Sequence, residues 1–146
     1  MQITTTRFGV VDIDPDDVLL FSNGVFAFES QRHWVLLADA DNDAVAWLQS
    51  VTDPAVALPL VSPRRFVPGY QVRIARNQLT PLELAALDKA FVLNVISRNE
   101  GRLTVNLKAP IIINLDRRIG RQVVTSDEQP LQMELPATTP ALRKIA

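Results

Sequence analysis

The stretch that decides the fold is RLTVNLKAPIIINL, residues 102–115. Side chains alternate between the two faces of an extended strand, so its odd-numbered residues from 103 to 113, all apolar, share one face. The other face carries the polar residues Thr104, Asn106, Lys108 and Asn114. Pro110 cannot donate to a strand ladder, which predicts an edge, a bulge or a bend. We therefore expect two strands joined by a kink, with one face in the core.

Length and composition place the chain in the ordinary globular class. It has 146 residues, 47% hydrophobic and 21% charged, which fits one domain that buries about two thirds of its unfolded surface. The absence of a 20-residue apolar run and of a signal-peptide pattern predicts that the protein stays in the cytoplasm. Zero cysteines exclude disulfides and thiolate metal sites and agree with a reducing compartment.

The charges divide unevenly along the chain. Residues 1–60 carry 2 basic and 9 acidic residues, a balance of −7, and residues 61–146 carry 13 basic and 7 acidic ones, a balance of +6. An acidic face would suit a basic partner, because complementary charge raises encounter rates. The alternative is that the two halves mix in space, since strands distant in sequence become neighbours in a sheet. Both interpretations stay open at this level.

Turn and cap signals divide the first half of the chain. Residues 1–13 predict two short strands, and Asp14 is placed to cap a single helical turn that starts with proline. The apolar runs 33–38 and 44–49 are separated by the polar loop 39–43, which predicts a hairpin.

The second half contains the one predicted helix. Residues 70–74 alternate as in a strand, and Thr80-Pro81-Leu82-Glu83 has the pattern of a capping box at the start of a helix over 81–89. A strand at 91–96 is expected to form a hairpin with the opening stretch, and residues 121–126 a last strand.

These elements predict a mainly β fold. We expect a small antiparallel β-barrel-like domain of about eight or nine short strands with one short α-helix near residues 81–89. The domain is predicted to span residues 1–130. Residues 130–146 contain three prolines and few core residues. We therefore predict that residues 131–146 form a loosely ordered C-terminal tail.

The sequence offers little for catalysis. His33 is the only histidine and cysteine is absent, which excludes Cys/His catalysis, a multi-histidine metal site and the HExxH arrangement. Neither a GxSxG elbow nor a phosphate-binding glycine loop occurs. A helix cap explains the acids at 14–17, and the loop 39–43 lacks the glycine and terminal glutamate of a calcium loop. We expect no enzyme activity, cofactor, metal or small-molecule substrate.

An RNA-binding small barrel is the alternative function. Seven arginines could form a basic face beside the rings of Phe66 and Tyr70, as in barrels that bind single strands. They are Arg64, Arg65, Arg73, Arg76, Arg117, Arg118 and Arg121. A sequence pI near 5.8 argues against strong attraction to a phosphate backbone.

Four segments, taken in order, match a known family pattern. They are Phe21, Gly24 and Phe28, in an F-x-x-G-x-x-G-F segment; Trp47-Leu48-Gln49-Ser50 with Asp53; Phe66, Pro68 and Tyr70, in an F-x-P-x-Y element; and Thr104 to Asn114. Ala27 stands at the second glycine of the first segment, and Gly69 at a commonly acidic position of the third. From about Phe8 to about Ser126 the chain resembles the flagellar assembly factor FliW family, which consists of small bacterial cytoplasmic proteins.

The resemblance implies a regulator and chaperone-like binder with a small β-barrel fold. Proteins of this family bind flagellin in the cytoplasm. When flagellin is scarce they bind the translational repressor CsrA and hold it off flagellin messenger RNA by an allosteric block. The resemblance therefore implies exchange between two protein partners, with no direct nucleic-acid or membrane binding.

Site residues follow from the resemblance and from the residue types. For partner contact we name Asp14, Asp16, Asp17, Asp39, Asp41, Asp43, Phe66, Tyr70 and Asn106. As structural motif residues we name Phe21, Gly24, Trp47, Gln49, Ser50, Pro68, Thr104, Pro110 and Asn114. Asn106 also has a scaffold interpretation, because an amide beside the bend at Pro110 can satisfy backbone groups that the proline leaves unpaired.

Overall fold

Eleven strands and one short helix form the secondary structure of the computed structural model, which describes residues 1–85 and 90–135. The strands are β1 (Gln2–Thr5), β2 (Gly9–Asp12), β3 (Leu19–Leu20), β4 (His33–Ala38), β5 (Val45–Ser50), β6 (Ala57–Val61), β7 (Ala90–Asn99), β8 (Arg102–Val105), β9 (Ile111–Asn114), β10 (Ile119–Gln122) and β11 (Met133–Glu134). The helix α1 covers Arg76–Leu79, and 3₁₀ turns lie at Pro15–Asp17, Pro63–Arg65 and Thr80–Leu82.

Seven of these strands close into a barrel. The ring runs β7-β6-β5-β4-β3-β10-β9 and closes because β7 also pairs with β9. Its pairings are antiparallel except for one parallel pair, Ile119 opposite Leu20, between β10 and β3. Outside the ring, β8 pairs with β7 and β11 pairs with β8, while β1 and β2 form a separate hairpin. The predicted mainly β, barrel-like fold is confirmed.

The opening stretch forms β8 and β9 with a bend between them, as predicted. Both strands pair with β7, since its residues 96–99 lie opposite β8 and its residues 90–93 lie opposite β9. The bend at residues 106–110 moves the chain from the outside of the ring into the ring.

Every backbone polar group of that bend has a partner. The N–H groups of Lys108 and Ala109 donate to Asn106 Oδ1 at 3.0 and 2.9 Å. Those of Asn106 and Leu107 donate to carbonyl groups elsewhere in the chain. The carbonyl groups of residues 106–110 accept, in that order, from Asn94 Nδ2, Tyr70 Oη, Thr125 N, Gln122 Nε2 and Val123 N. A non-ladder segment can stay buried because its hydrogen bonds are complete.

The barrel interior is filled by eight large apolar side chains. They are Leu19, Phe21, Val25, Trp34, Leu48, Leu60, Ile111 and Ile113, each at most 3% exposed. The rings of Phe21 and Trp34 meet edge to face with centroids 6.3 Å apart. A side chain at Gly120 would overlap the Phe21 ring, so only glycine fits at this point of β10.

The expected core face of residues 102–115 is buried in β9, but the opposite face of that strand is buried as well. All four residues of β9 are buried, because the helical turns 76–82 cover its outer face. Ile112 packs with Leu82 and Val123, and Asn114 Nδ2 donates to the Leu82 carbonyl at 2.9 Å. The barrel therefore has an additional hydrophobic cluster on its outer surface.

The short helix exists, but its predicted bounds, 81–89, are wrong. The α-helical residues are Arg76–Leu79, and the 3₁₀ turn Thr80–Leu82 follows. Pro81 has no N–H and cannot continue the α-helical hydrogen bonds, and Glu83 ends the turn with a φ of 51°. Thr80 Oγ1 donates to the Arg76 carbonyl at 2.9 Å and does not form the predicted capping box. Residues 86–89 lie outside the described residues.

Residues 70–74 form no strand, contrary to the prediction. Other groups satisfy their backbone: Ser126 N donates to the Arg73 carbonyl at 2.7 Å, and Gln129 Nε2 to the Gln71 carbonyl at 3.1 Å. Arg73 N donates to Asp127 Oδ1 at 3.1 Å. The last barrel strand is also shifted from the predicted 121–126 to Ile119–Gln122.

The start of the predicted loose tail is held on the sheet. Within residues 131–146, Met133 lies opposite Val105 and Glu134 opposite Thr104, and Leu135 is buried. Arg102 and Glu134 also form a salt bridge at 3.0 Å. Residues 136–146 lie outside the described residues.

Local turn chemistry follows the sequence closely. β1 and β2 are the two short strands predicted in residues 1–13, and β4 and β5 form the predicted hairpin. Asp14 Oδ1 accepts from Asp16 N at 2.9 Å and caps the turn Pro15–Asp17. These elements were predictable because proline, cap and turn residues act within a few positions.

Ala27 has a φ of 74°, the left-handed region that favours glycine. We expect Ala27→Gly to stabilise the fold by about 0.5–1 kcal/mol, because removing the side-chain strain outweighs the larger backbone entropy of glycine. Urea denaturation measures this. The control is Ala38→Gly, an exposed position in β4, which should lose about 0.5–1 kcal/mol. Equal losses at both positions would contradict strain at Ala27.

Candidate binding groove

A groove of about 720 Å³ opens where β6 separates from β7. Leu60 and Val61 still pair with Val95 and Asn94, and the chain then turns away in the 3₁₀ turn that begins at Pro63. The groove is lined by Ser62, Pro63, Arg64, Tyr70, Gln71, Val72, Ala90, Phe91, Val92 and Leu93. Its size lies within the range of about 300–1,000 Å³ that is usual for binding sites.

One wall of the groove is an open strand edge. In an antiparallel sheet, successive residues direct their backbone groups to opposite neighbours. The Val95 carbonyl accepts from Asn106 N at 3.0 Å, so the backbone groups of Val95 point toward β8 and β9. Leu93 and Phe91 lie two and four residues before Val95 in β7, so their backbone groups point toward β9 as well. The backbone groups of Ala90 and Val92 therefore face the groove, where no described residue pairs with them.

Tyr70 forms the buried base of the groove. It is 6% exposed, and its hydroxyl donates to the Leu107 carbonyl at 2.7 Å. Burial raises its pKa above the ordinary 10.0; the amide of Asn94 opposes this and the negative charge of Asp127 adds to it. Tyr70 therefore stays protonated and ties the groove to the bend.

The rim of the groove carries an exposed ring and a cation. Phe91, at the start of β7, is 48% exposed. Arg64 is exposed, and it is the one charged side chain among the described lining residues. This arrangement can bind an apolar segment that carries a negative charge.

The six acids named for partner contact lie outside the groove, in two turns. Asp39 Oδ1 accepts from Trp47 Nε1 at 2.9 Å. Asp17 lies 3.8 Å from Arg118 and Asp43 lies 3.9 Å from Arg65. Acids of the first half thus meet arginines of the second at two places. Asp14, Asp16 and Asp41 are exposed, with Asp14 capping its turn.

The other three partner-contact candidates pack or form hydrogen bonds within the fold. Phe66 is half-buried and packs on the outer cluster that contains Trp47 and Tyr70. Tyr70 is the groove base, and Asn106 holds the bend. Of the nine candidates, only Tyr70 lines the groove.

Several motif residues tie loops to the barrel. Gln49 is fully buried, and its Nε2 lies within 3.0–3.4 Å of the carbonyl oxygens of Ser50, Asp53, Pro54 and Val56. Ser50 Oγ donates to Gln31 Oε1 at 2.6 Å. Asn114 Oδ1 accepts from Asp116 N at 3.1 Å. Thr104 Oγ1 donates to the Ser97 carbonyl at 3.4 Å, across β7 and β8.

The remaining motif residues shape turns and the core. Gly24 has a φ of 64°, and a Cβ there would lie 2.5 Å from the Phe28 carbonyl oxygen. Pro68 and Gly69 occupy the centre of a turn closed by Tyr70 N and the Val67 carbonyl at 3.0 Å. The φ of 83° at Gly69 is the type II value at this position, which explains the glycine.

The groove residues Phe91 and Val92 were not predicted as site residues. Their sequence signal is only an apolar strand start after the helical turns. They are accessible because the chain turns away from β7 at Pro63, after β6. A proline that is distant in sequence does not show which strand will be left without a neighbour.

The described residues, 1–85 and 90–135, hold no cluster of metal-ligating side chains, since no three His, Cys, Asp or Glu side chains there are grouped to hold a metal. His33 is exposed at the start of β4. Within the same residues, no helix is long and apolar enough to cross a membrane.

The fold and groove define a class: a small closed β-barrel with an outer core and an open strand edge. Residues 2–136 match the family described as FliW protein. The chain therefore belongs to the FliW family of flagellar assembly factors, as the motif resemblance predicted.

Individual relatives support this assignment. A flagellar assembly factor FliW of Bdellovibrio bacteriovorus is 40% identical over 129 residues, which cover 87% of this chain and 74% of the relative. One from Moorella thermoacetica is 39% identical over 127 residues, 85% and 80% of the two chains. The crystal structure of a flagellar assembly factor FliW matches with a TM-score of 0.86 at 26% identity and covers 95% of this chain and 99% of that one.

Asn106→Ala tests whether this residue is scaffold. It removes the acceptor of two bend N–H groups, so we expect a loss of about 1–3 kcal/mol in urea denaturation. Asn99→Ala, whose exposed amide donates to Gln132 Oε1, is the control and should change stability by less than about 0.5 kcal/mol. Unchanged stability in Asn106→Ala would refute the scaffold role.

Tyr70 is the only tyrosine, so tyrosinate absorbance reports it alone. We expect its native titration midpoint above pH 10.0 and a return toward 10.0 in denaturant. Because the folded pKa is raised, its contribution to stability is present below about pH 10 and is lost as pH rises through the folded pKa. Tyr70→Phe should lack this pH-dependent loss. A native midpoint at or below 10.0 would contradict the burial effect.

Proposed function

We propose that this chain binds flagellin in the cytoplasm and, when flagellin is scarce, binds CsrA and relieves repression of flagellin mRNA translation. The observation that supports the proposal is that residues 2–136 match the FliW family and that the fold matches a solved flagellar assembly factor FliW over 95% of this chain. The proposed role is that of a protein binder and not of an enzyme.

The surface is suited to protein partners. It offers an apolar groove with an open strand edge and, apart from it, two acidic turns at residues 14–17 and 39–43. Negative charge at these turns would repel RNA phosphates if CsrA were bound nearby, because phosphate backbones respond strongly to local charge. This provides a physical route to release of mRNA without occupation of the RNA-binding surface.

The regulation follows from partner exchange. If flagellin and CsrA exclude each other on this chain, a rise in free flagellin shifts the bound population away from CsrA. Export of flagellin reverses the shift. The chain then converts flagellin concentration into the amount of free repressor.

The test mixes the purified chain with flagellin and CsrA encoded by the same genome. We expect a complex with each protein in size-exclusion chromatography, and release of CsrA as flagellin is added. Labelled flagellin mRNA bound to CsrA should be released by the chain and rebound when flagellin is supplied.

Three outcomes would count against this function. Binding of neither protein would overturn it, and a ternary complex would contradict exchange. Retention of RNA by the chain alone at low salt, with release as salt rises, would favour the RNA-binding alternative. The charge pairs Arg65 with Asp43 and Arg118 with Asp17 lead us to expect no such retention.

A further inference from the structure

We propose that the groove binds an extended, apolar segment of a protein partner as an added β-strand on the open edge of β7, with a partner carboxylate facing Arg64. This inference rests on the proposed function, since it names the surface and the partner chemistry through which a protein binder would act.

The backbone of β7 supplies the hydrogen-bonding template. Ala90 and Val92 direct their N–H and C=O groups into the groove, and no described residue accepts from or donates to them there. Residues two apart in a strand are about 6.6–6.8 Å apart, the repeat that an added strand needs to pair at both positions. Strand addition at an exposed edge is a recurring way to bind extended peptides.

The rest of the sheet explains why the edge is open here and short. β6 covers β7 at Val95 and Asn94 and then leaves at Pro63, which cannot donate a ladder hydrogen bond. Proteins usually shorten, charge or cover free edges because they attract other strands. An edge left open beside apolar walls is therefore a site prepared for a strand.

The side chains of the groove set the chemistry of the partner. Tyr70, Val72 and Val92 present apolar surface, and Phe91 lies at the rim with 48% of its surface exposed. Neighbouring residues of an added strand point to opposite faces, so alternate partner residues would contact one or the other of these surfaces. This favours a segment with apolar residues at alternating positions.

Charge fixes one further property of the partner. Arg64 is exposed at the groove and no described acid pairs with it, whereas the neighbouring Arg65 lies 3.9 Å from Asp43. A carboxylate on the bound segment would complement Arg64. The occupant is therefore an apolar segment with an acidic residue, and a basic or purely polar segment would not suit the site.

Amide hydrogen exchange measured by NMR gives the most direct test. In the free chain, the amides of Ala90 and Val92 should exchange faster than those of Phe91 and Leu93, which face β9. In the complex with flagellin or CsrA, the Val92 amide should slow by about tenfold or more, because a new strand protects it. A side-chain contact without strand addition would leave this amide unprotected.

Paired variants test the same groove by affinity. Phe91→Ser and Arg64→Glu should each weaken binding of the same partner about tenfold. Their controls are Phe26→Ser, at a phenylalanine of matching 47% exposure, and Arg65→Glu, one residue away from the groove lining; both should bind like wild type. Val92→Pro removes the open-edge N–H together with a side chain that packs on the clusters around Tyr70 and Ile112; it should also weaken binding, and its thermal melt checks that the fold is kept.

The outcomes separate the two proposals. If wild type binds neither flagellin nor CsrA, both the function and the groove assignment fall. If wild type binds, but Val92 gains no protection with either protein and the paired variants bind alike, only the groove assignment falls. Protection of Val92 in the chain alone, with self-association at the same concentration, would identify a second copy as the occupant and overturn the assignment to a partner.

Discussion

The bend at residues 106–110 is the constraint on which the rest of the structure depends. β7 pairs with β8 over one half of its length and with β9 over the other half. The bend must therefore carry the chain from β8, outside the ring, to β9, in the ring, while both strands stay paired with β7. Five residues without a ladder would be costly to bury if their backbone groups were unpaired. Asn106, Asn94 and Tyr70 supply partners from three different segments. Ring closure and these side chains are therefore one structural unit.

A small barrel can bury only a few large side chains inside, and this one continues its core on the outside. The hairpin of β1 and β2 covers Val35, the helical turns cover Ile112, and the segment around Tyr70 covers Trp47 and Ile96. The helical turns are tied to the barrel by Asn114, which donates to the Leu82 carbonyl, and Gln49 holds the loop after β5 through the Val56 carbonyl. These motif residues hold layers together, which accounts for their side-chain contacts without any ligand.

The groove is a by-product of the same geometry. β7 follows the bent strand on one side, and β6 cannot follow it on the other beyond Val61 because the chain turns at Pro63. The result is a short open edge of β7, with apolar walls and Arg64 beside it. This edge is accessible although the barrel interior stays buried. The acidic turns lie elsewhere, so the chain offers two chemically different faces.

The sequence by itself determined the local elements: the two strands around Pro110, the Asp14 cap, the hairpin around residues 39–43 and the mainly β class. It could do so because alternation, prolines and caps act over a few residues. It placed the helix wrongly, since the pattern around Thr80 does not show that Arg76–Leu79 is the stretch that turns helical first. Tertiary structure alone decided that residues 70–74 are held by residues 126–129 rather than by a ladder. It also decided that both faces of β9 are buried and that Phe91 and Val92 line an open edge. These features depend on pairings between distant segments, and no local pattern contains that information.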